Sequence, residues 1–344
     1  MTSRLRRLEN HPDQWLQVRP KGLYCVPGDF YIDPHGKVDR AVITHGHADH
    51  ARAGHGHVLT SPETAAIMRV RYGPNCAGGF QEQPAGQWVD HFGVRVQLVP
   101  AGHVLGSCQI VMEHAGWRVV ASGDYKRASD PTSADFAVVS CDVFITEATF
   151  GMPVFVHEDP SSEIDKLLTS LQTFAQRPHL MSAYSLGKAQ RLIAELRVAG
   201  YDAPIFLHSA HTRLCRLYES LGVPLGRLLP AEKASAEDLA GALILAPPAS
   251  SREGWANAVH DPVTCAASGW MRLRKRMLQS GAELPLVISD HADWPDLQRT
   301  ILDTGAEEIW ITHGREDALI HFCETQGLRG RALALIGRDE DDDA

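Results

Sequence analysis

Short apolar runs that end at a histidine or an acidic residue recur along the whole chain. Such runs, when bounded by polar and turn-forming residues, are typical of buried β-strands. The residues that follow seven of these runs are Asp33, His45, His103, Asp124, Glu147, His291 and His313. Because ligands bind at the carboxyl ends of strands in open α/β sheets, we expect these side chains to converge at one edge of the fold.

Helix signals lie between the runs. A serine and a proline at 61–62 predict the start of a helix that continues to about residue 71. Pro295 in a first turn and Gly305 past the end bracket another helix. A last helix is predicted at 316–325, and 332–336 is predicted to be a closing strand.

Residues 156–284 follow a different pattern. A helix predicted to start at Ser162, strands beginning near 179 and 204, and a helix after each strand form a regular alternation that predicts a parallel sheet. Candidate metal ligands resume only after this stretch, so we expect an α/β domain inserted into another. The predicted division is 1–155 and 285–338 for the first domain, 156–284 for the insert, and 339–344 for an acidic tail.

Composition narrows the class of protein. The 344 residues are 44% hydrophobic, which is enough for a substantial core, and the formal net charge of −9 argues against binding nucleic acid over the whole surface. The seven cysteines form no Cys-x-x-Cys pair, and the chain shows neither a signal peptide nor an apolar run of membrane-spanning length. These features predict a cytoplasmic protein without a membrane partner.

The stretch 44–50, Thr-His-Gly-His-Ala-Asp-His, carries the strongest chemical signal. Residues two apart on an extended segment point the same way, so His45 and His47 can hold one ion while Asp49 and His50 hold another. Imidazole and carboxylate ligands suit zinc or manganese. Such a site also needs a shared carboxylate and further imidazoles, which the later strand-end residues can supply.

These motifs resemble a known family. His-x-His-x-Asp-His at 45–50, with Gly102-His103, Ser122-Gly123-Asp124 and Thr312-His313-Gly314, is similar to the metallo-β-lactamase fold. The stretches 146–151, 185–190 and 289–293 resemble the β-CASP nuclease branch of that fold. Within the branch, four stretches most resemble the bacterial ligase-associated DNA exonucleases: residues 22–34, 124–127, 267–271 and 291–295.

The resemblance implies a metallo-β-lactamase αββα sandwich with an inserted β-CASP α/β domain. It implies a first metal held by His45, His47 and His103, a second held by Asp49, His50 and His313, and Asp124 bridging the two. It also implies that Asp33 orients the ligand histidines. The expected catalytic residues are Asp49, Asp124, Glu147 and His291, with two Zn²⁺ or Mn²⁺ ions as cofactors.

Substrate contacts are predicted mainly from local charge. The run at 272–276 supplies Arg272, Arg274 and Arg276, which we expect to contact phosphates, and Lys126-Arg127 follows Asp124. Three further candidates for contact with a nucleic-acid strand are Ser185, Lys188 and Trp270. The expected substrate is DNA, as a single strand or a duplex end, and the resemblance implies an ATP-dependent DNA ligase and a helicase as partners in DNA repair.

Three functions compete at this stage. The first is a DNA exonuclease, and the second is an RNA endonuclease or exonuclease of the RNase J or polyadenylation-endonuclease type, which would cut the same phosphodiester. The histidine at 313 is the residue often linked with the RNA-cutting members. The third is an inactive nucleic-acid-binding scaffold, which the full set of ligand residues disfavours. A small-molecule hydrolase is disfavoured because it would not need the insert.

Overall fold

The computed structural model describes residues 10–250, 255 and 259–335, so the predicted acidic tail lies outside the described residues. The chain divides into two units. The first contains the described residues up to Val154 together with those from His291 onward, and the second is Phe155–Asp290. The predicted insert ended at 284, six residues earlier than this unit. That the second unit is an insertion into the first remains a prediction.

Six strands form the first sheet of the first unit, in sequence order. The first three are antiparallel and the remaining pairs are parallel. The strands are β1 (Leu16–Arg19), β2 (Gly22–Cys25), β3 (Phe30–Ile32), β4 (Arg40–Val42), β5 (His55–Thr60) and β6 (Ala77–Glu82). A short helix, α1 (Pro12–Trp15), precedes them, and α2 (Pro62–Tyr72) connects β5 to β6.

The second sheet of this unit has seven strands. Its strands are β7 (Trp88–His91), β8 (Val94–Pro100), β9 (Cys108–His114), β10 (Trp117–Ala121), β11 (Val143–Ala148), β18 (Glu308–Gly314) and β19 (Arg329–Ala332). They lie in the order β19-β18-β11-β10-β9-β8-β7. Strands β7 to β10 form an antiparallel meander, whereas β10, β11, β18 and β19 run parallel. The parallel half delivers the carboxyl ends of β10, β11 and β18 to one edge.

Apolar side chains hold these layers together. One cluster combines Leu23 and Val42 of the first sheet with Leu98 and Trp310 of the second, so the two sheets pack face to face. Helix α2 covers the outer face of the first sheet through Met68. Helices α8 (Trp294–Asp303) and α9 (Glu316–Thr325) cover the outer face of the second. Burial of these apolar faces stabilises the four layers by about 25 cal/mol per Å² removed from water.

The second unit contains a fully parallel six-stranded sheet. Its strands are β12 (His179–Ser182), β13 (Ile205–Leu207), β14 (Leu228–Pro230), β15 (Leu243–Ala246), β16 (Val263–Ala267) and β17 (Leu284–Leu286), in the order β14-β13-β15-β12-β16-β17. Its helices are α3 (Pro160–Thr173), α4 (Lys188–Val198), α5 (Ser209–Ser220), α6 (Ala236–Leu239) and α7 (Arg274–Ser280). The predicted α/β class is confirmed.

Three predicted boundaries differ from the structure. Helix α3 is capped by Asp159, whose carboxylate accepts from Ser161 N, and not by Ser162; an acidic cap followed by proline starts a helix earlier. The closing strand is Arg329–Ala332, which pairs with the first half of β18, so the predicted strand at 332–336 begins too late; its last residue lies outside the described residues. Glu147 and His313 lie inside their strands, next to a shift in pairing, rather than after them.

A helix that spans a lipid bilayer must be long and apolar. Across the described ranges, every helix is too short or too polar to span one.

Candidate metal centre

The loop after β4 carries the His-x-His-x-Asp-His motif of residues 45–50. The amides of His50 and Ala51 both donate to the carbonyl of His47, which folds 47–51 into a tight turn. This turn brings the ring of His50 back beside that of His45, with ring centroids 4.1 Å apart. His47 instead faces His103, which follows β8.

Four donor atoms form the first cluster. His47 Nδ1 lies 3.1 Å from His45 Nε2 and 3.0 Å from His103 Nε2. Asp124 Oδ2 lies 3.4 Å from His45 Nε2 and 3.8 Å from His103 Nε2. Ligands at about 2.05 Å around a tetrahedral zinc ion are about 3.3 Å apart. The spacing and chemistry of the four donors therefore fit a single small cation.

A second cluster shares Asp124. Its Oδ2 lies 3.3 Å from His50 Nε2, and its Oδ1 lies 3.7 Å from His313 Nδ1. Asp49 Oδ2 is 3.1 Å from the same His50 nitrogen. The carboxylate of Asp124 thus faces both groups of imidazoles, which is the geometry that a residue bridging two ions requires.

Asp33 fixes the orientation of the His50 ring through a hydrogen bond with Nδ1. Its Oδ2 lies 2.7 Å from His50 Nδ1 and accepts from the Thr44 hydroxyl at 2.6 Å, and its Oδ1 accepts from Thr44 N at 2.7 Å. The carboxylate therefore selects the tautomer with the proton on Nδ1, which leaves the Nε2 lone pair facing Asp124. Asp33 and His313 both have positive φ, 41° and 57°, a strained conformation often found at functional sites.

Burial and neighbouring charges shift the pKa values of these groups. Burial lowers the pKa of His45 well below its ordinary value, with a further contribution from His50, so the ring is neutral. Burial would raise the pKa of Asp124, but the neighbouring His50 and His313 hold it well below its usual range. The pKa of Asp49 is likewise lowered, because His50 outweighs the effect of burial. Neutral imidazoles and ionised carboxylates bind divalent cations.

Glu147 and His291 form a hydrogen-bonded pair next to the clusters. Glu147 Oε2 lies 2.9 Å from His291 Nδ1, and Glu147 Oε1 accepts from Tyr125 N at 2.7 Å. The His291 ring lies 4.6 Å from that of His103. One donor atom each of Asp124, Glu147 and His291 lie within 4.8 Å of one another. The hydrogen bond from Nδ1 to Glu147 therefore holds His291 at the edge of the candidate metal centre.

The predicted substrate residues lie in the second unit. Arg272, Arg274 and Arg276 are exposed on and before α7, and the guanidinium of Arg276 lies 5.7 Å from the Trp270 ring centroid. Ser185 is half-buried. The Lys188 ammonium group is buried and donates to Ile288 O at 2.7 Å and pairs with Asp290 at 2.9 Å, so contact with a strand would require these bonds to open.

The residues after Asp124 belong to the first unit. Lys126 is buried, and Arg127 pairs with Asp303 at 2.8 Å on α8.

The chain is similar in sequence to several known proteins. It is 28% identical over 330 residues to a protein of Opitutus terrae named as a probable DNA ligase, which covers 92% of this chain and 31% of that protein. It is 32% identical over 139 residues to cleavage and polyadenylation specificity factor subunit 3 of Dictyostelium discoideum, covering 38% and 18%. The endoribonuclease YSH1 of Saccharomyces cerevisiae is 32% identical over 140 residues, covering 37% and 18%. The predicted resemblance to the β-CASP nucleases is confirmed.

The chain spans about a third or less of the length of these β-CASP and ligase relatives. No family model matches it. A crystal structure of a protein of unknown function from Enterococcus faecalis V583 has a similar fold, with a TM-score of 0.56 at 12% identity over 87% of this chain and 80% of that one.

Sequence reasoning missed two residues that support this candidate centre. Thr44 contacts Asp33, and its hydroxyl also lies 3.0 Å from His45 Nδ1. Gly123 has a φ of 57°, and a Cβ there would lie 2.7 Å from the Cβ of Thr44. Only glycine therefore allows the backbone just before Asp124 to lie this close to Thr44. The two signals were present in the sequence as the residues directly before His45 and Asp124.

Proposed function

We propose that the protein is a two-metal nuclease that hydrolyses phosphodiester bonds of DNA, acting as an exonuclease. The observation that carries this proposal is the position of Asp124, whose carboxylate faces two groups of imidazoles at 3.3–3.8 Å. The four-layer first unit and the parallel sheet of the second support a metallo-β-lactamase sandwich with a β-CASP insert.

The candidate ligands form two sets that share Asp124. His45, His47, His103 and Asp124 would hold one ion, and Asp49, His50, His313 and Asp124 the other. When bound, two divalent cations supply an activated water near neutral pH and a positive clamp on the scissile phosphate. Zn²⁺ and Mn²⁺ both suit this donor set.

His291 is the residue that acts on the leaving group in this proposal. With Nδ1 bonded to Glu147, Nε2 is the ring atom that would donate a hydrogen bond or a proton to the phosphate or to the departing oxygen. Glu147 stabilises the protonated ring and is itself oriented by Tyr125 N. The water attacks phosphorus in line with the leaving oxygen.

RNA cleavage is the second candidate function. It is supported by the relatives named as endoribonuclease and as polyadenylation factor, and by the histidine at 313. The DNA proposal is supported by the match of nearly the whole chain to a protein named as a probable DNA ligase, which also supports a ligase as partner. The complete donor set supports an active enzyme over a scaffold. A helicase partner is proposed on the motif resemblance alone.

The deciding experiment uses single-stranded DNA and RNA of matched sequence, labelled at either end. We expect mononucleotides from one end of the DNA with Mn²⁺ or Zn²⁺ and none with a chelator. Faster cutting of the RNA would favour the second function. Failure to cut either polymer, by protein shown to carry metal, would refute the nuclease proposal.

A further inference from the structure

A small basic and aromatic surface borders the metal-binding loop within the first unit. It consists of Arg52, Arg71 and Tyr72, and we name it the rim patch. Arg52 follows His50 by two residues, and the other two end helix α2. None of these residues carries a role in the predicted metal centre.

The rim patch is built into the loop. The guanidinium of Arg71 donates to the carbonyl of Gly46, the residue between His45 and His47, and lies 5.1 Å from the Tyr72 ring centroid. Ala51 packs with Met68 of α2 in one apolar cluster, which holds the backbone of Arg52 against the same helix. The patch therefore has a fixed position beside the ligand histidines.

The two arginines of the patch form no ion pair with a carboxylate of the described residues. Arg69 of the same helix pairs with Glu82 at 2.6 Å, but within the described ranges neither Arg52 nor Arg71 forms an ion pair. Arg52 Nε is buried and has no hydrogen-bond acceptor among the described residues. Burial raises the pKa of Tyr72 while Arg71 and Arg52 lower it, which is consistent with both cations facing the phenol.

We infer that the rim patch binds the nucleotide next to the scissile phosphate of a single-stranded substrate. The guanidinium groups of Arg52 and Arg71 would bind the phosphate of this nucleotide. Tyr72, which is 37% exposed, would stack on its base. Positive groups that follow the backbone, combined with an aromatic ring, are the usual means of binding single strands without sequence preference. Asp49 carries an opposing charge near the phenol, but its Oδ2 lies 3.1 Å from His50 Nε2 and it forms no ion pair with either arginine.

This inference rests on the proposed function and extends it to a substrate subsite. It also accounts for how a chain of net charge −9 could hold a polyanion locally. The subsite is separate from the predicted arginines of 272–276, which lie in the other unit.

The test measures binding of fluorescent oligothymidylate and oligouridylate to the full chain, by anisotropy in a chelator, over a range of salt concentrations. Arg52→Gln and Arg71→Gln should each reduce the slope of log affinity against log salt by about 0.7. Tyr72→Ala should weaken binding about 5- to 150-fold, whereas Tyr72→Phe keeps the ring and should stay within about twofold of wild type.

Arg69→Gln is the matched control, because it removes the same charge from the same helix at a residue already paired with Glu82. Its slope should equal that of wild type. Zn²⁺ stoichiometry by equilibrium dialysis checks that the loop is intact. If Arg71→Gln loses metal, the slope of Arg52→Gln decides the test. The Arg52 side chain forms no hydrogen bond to a described residue, so its replacement breaks none.

A wild-type slope for Arg52→Gln together with a wild-type affinity for Tyr72→Ala would overturn the inference while leaving the nuclease proposal standing, provided that wild type cuts. Wild-type protein that loads metal but neither binds nor cuts DNA or RNA would instead overturn the nuclease proposal, and the subsite with it.

Discussion

Replacing Asp33 with asparagine tests how the buried carboxylate controls the metal centre. The substitution keeps the shape of the side chain, but an NH₂ group in place of Oδ2 can accept neither from His50 Nδ1 nor from the Thr44 hydroxyl. If the amide oxygen keeps the bond to Thr44 N, the NH₂ group faces His50 Nδ1 at a distance of 2.7 Å in the wild type. The imidazole then accepts at Nδ1 and carries its proton on Nε2, the atom that faces Asp124.

The magnitude follows from these contacts. Loss of an outer hydrogen bond to a ligand histidine typically lowers metal affinity about 10- to 100-fold, or about 1.4–2.7 kcal/mol. A buried donor left without its acceptor costs about 1–3 kcal/mol of folding free energy. We therefore expect Asp33→Asn to fold, to be less stable in a chelator, and to bind Zn²⁺ about 10- to 100-fold more weakly.

Competition with a chromogenic chelator measures the affinity, and urea unfolding in a chelator measures the stability. Asp130→Asn is the matched control, since Asp130 is also buried and also accepts from a backbone amide and a hydroxyl, both of Thr132. The control should lose stability without losing metal affinity. Equal Zn²⁺ affinity in Asp33→Asn and wild type would refute the proposed control of the tautomer.

Three further predictions concern single side chains. His291→Ala should retain both metals and lose about 10²- to 10⁴-fold in kcat on labelled DNA; loss of metal would make His291 a ligand instead. Asp124→Asn should lose bound metal at both clusters, and full stoichiometry by dialysis would contradict the shared carboxylate. Burial lowers the pKa of His211 to about 4, below the ordinary 6.5, so the unfolded chain binds the extra proton. Stability should then fall by about 3 kcal/mol as pH drops from 7 to 4, and His211→Asn should flatten that dependence in urea unfolding.

The sequence predicted those parts of the molecule in which local pattern and chemistry coincide. His45, Asp124 and His313 could be found because each terminates or lies near the end of an apolar run, and parallel strands bring such ends together. Helix α9 was predicted at its observed bounds, 316–325.

The remaining features depend on contacts between distant residues. Strand β9 was missed because Cys108–His114 is almost wholly buried on both faces, so it shows no alternation of polar and apolar positions. The hydrogen bond of Arg71 to Gly46 joins residues 25 positions apart, and no local pattern reports such a contact. The burial of Lys188 was missed for the same reason, because its partners lie about 100 residues away.

The sharing of Asp124 has a consequence for how the protein is prepared. Both candidate positions would draw on the Asp124 carboxylate, so occupancy of either would change the affinity of its neighbour by the same factor. The two steps of a Zn²⁺ titration should accordingly be linked, so half-loaded samples should depart from the statistical mixture expected of two independent sites.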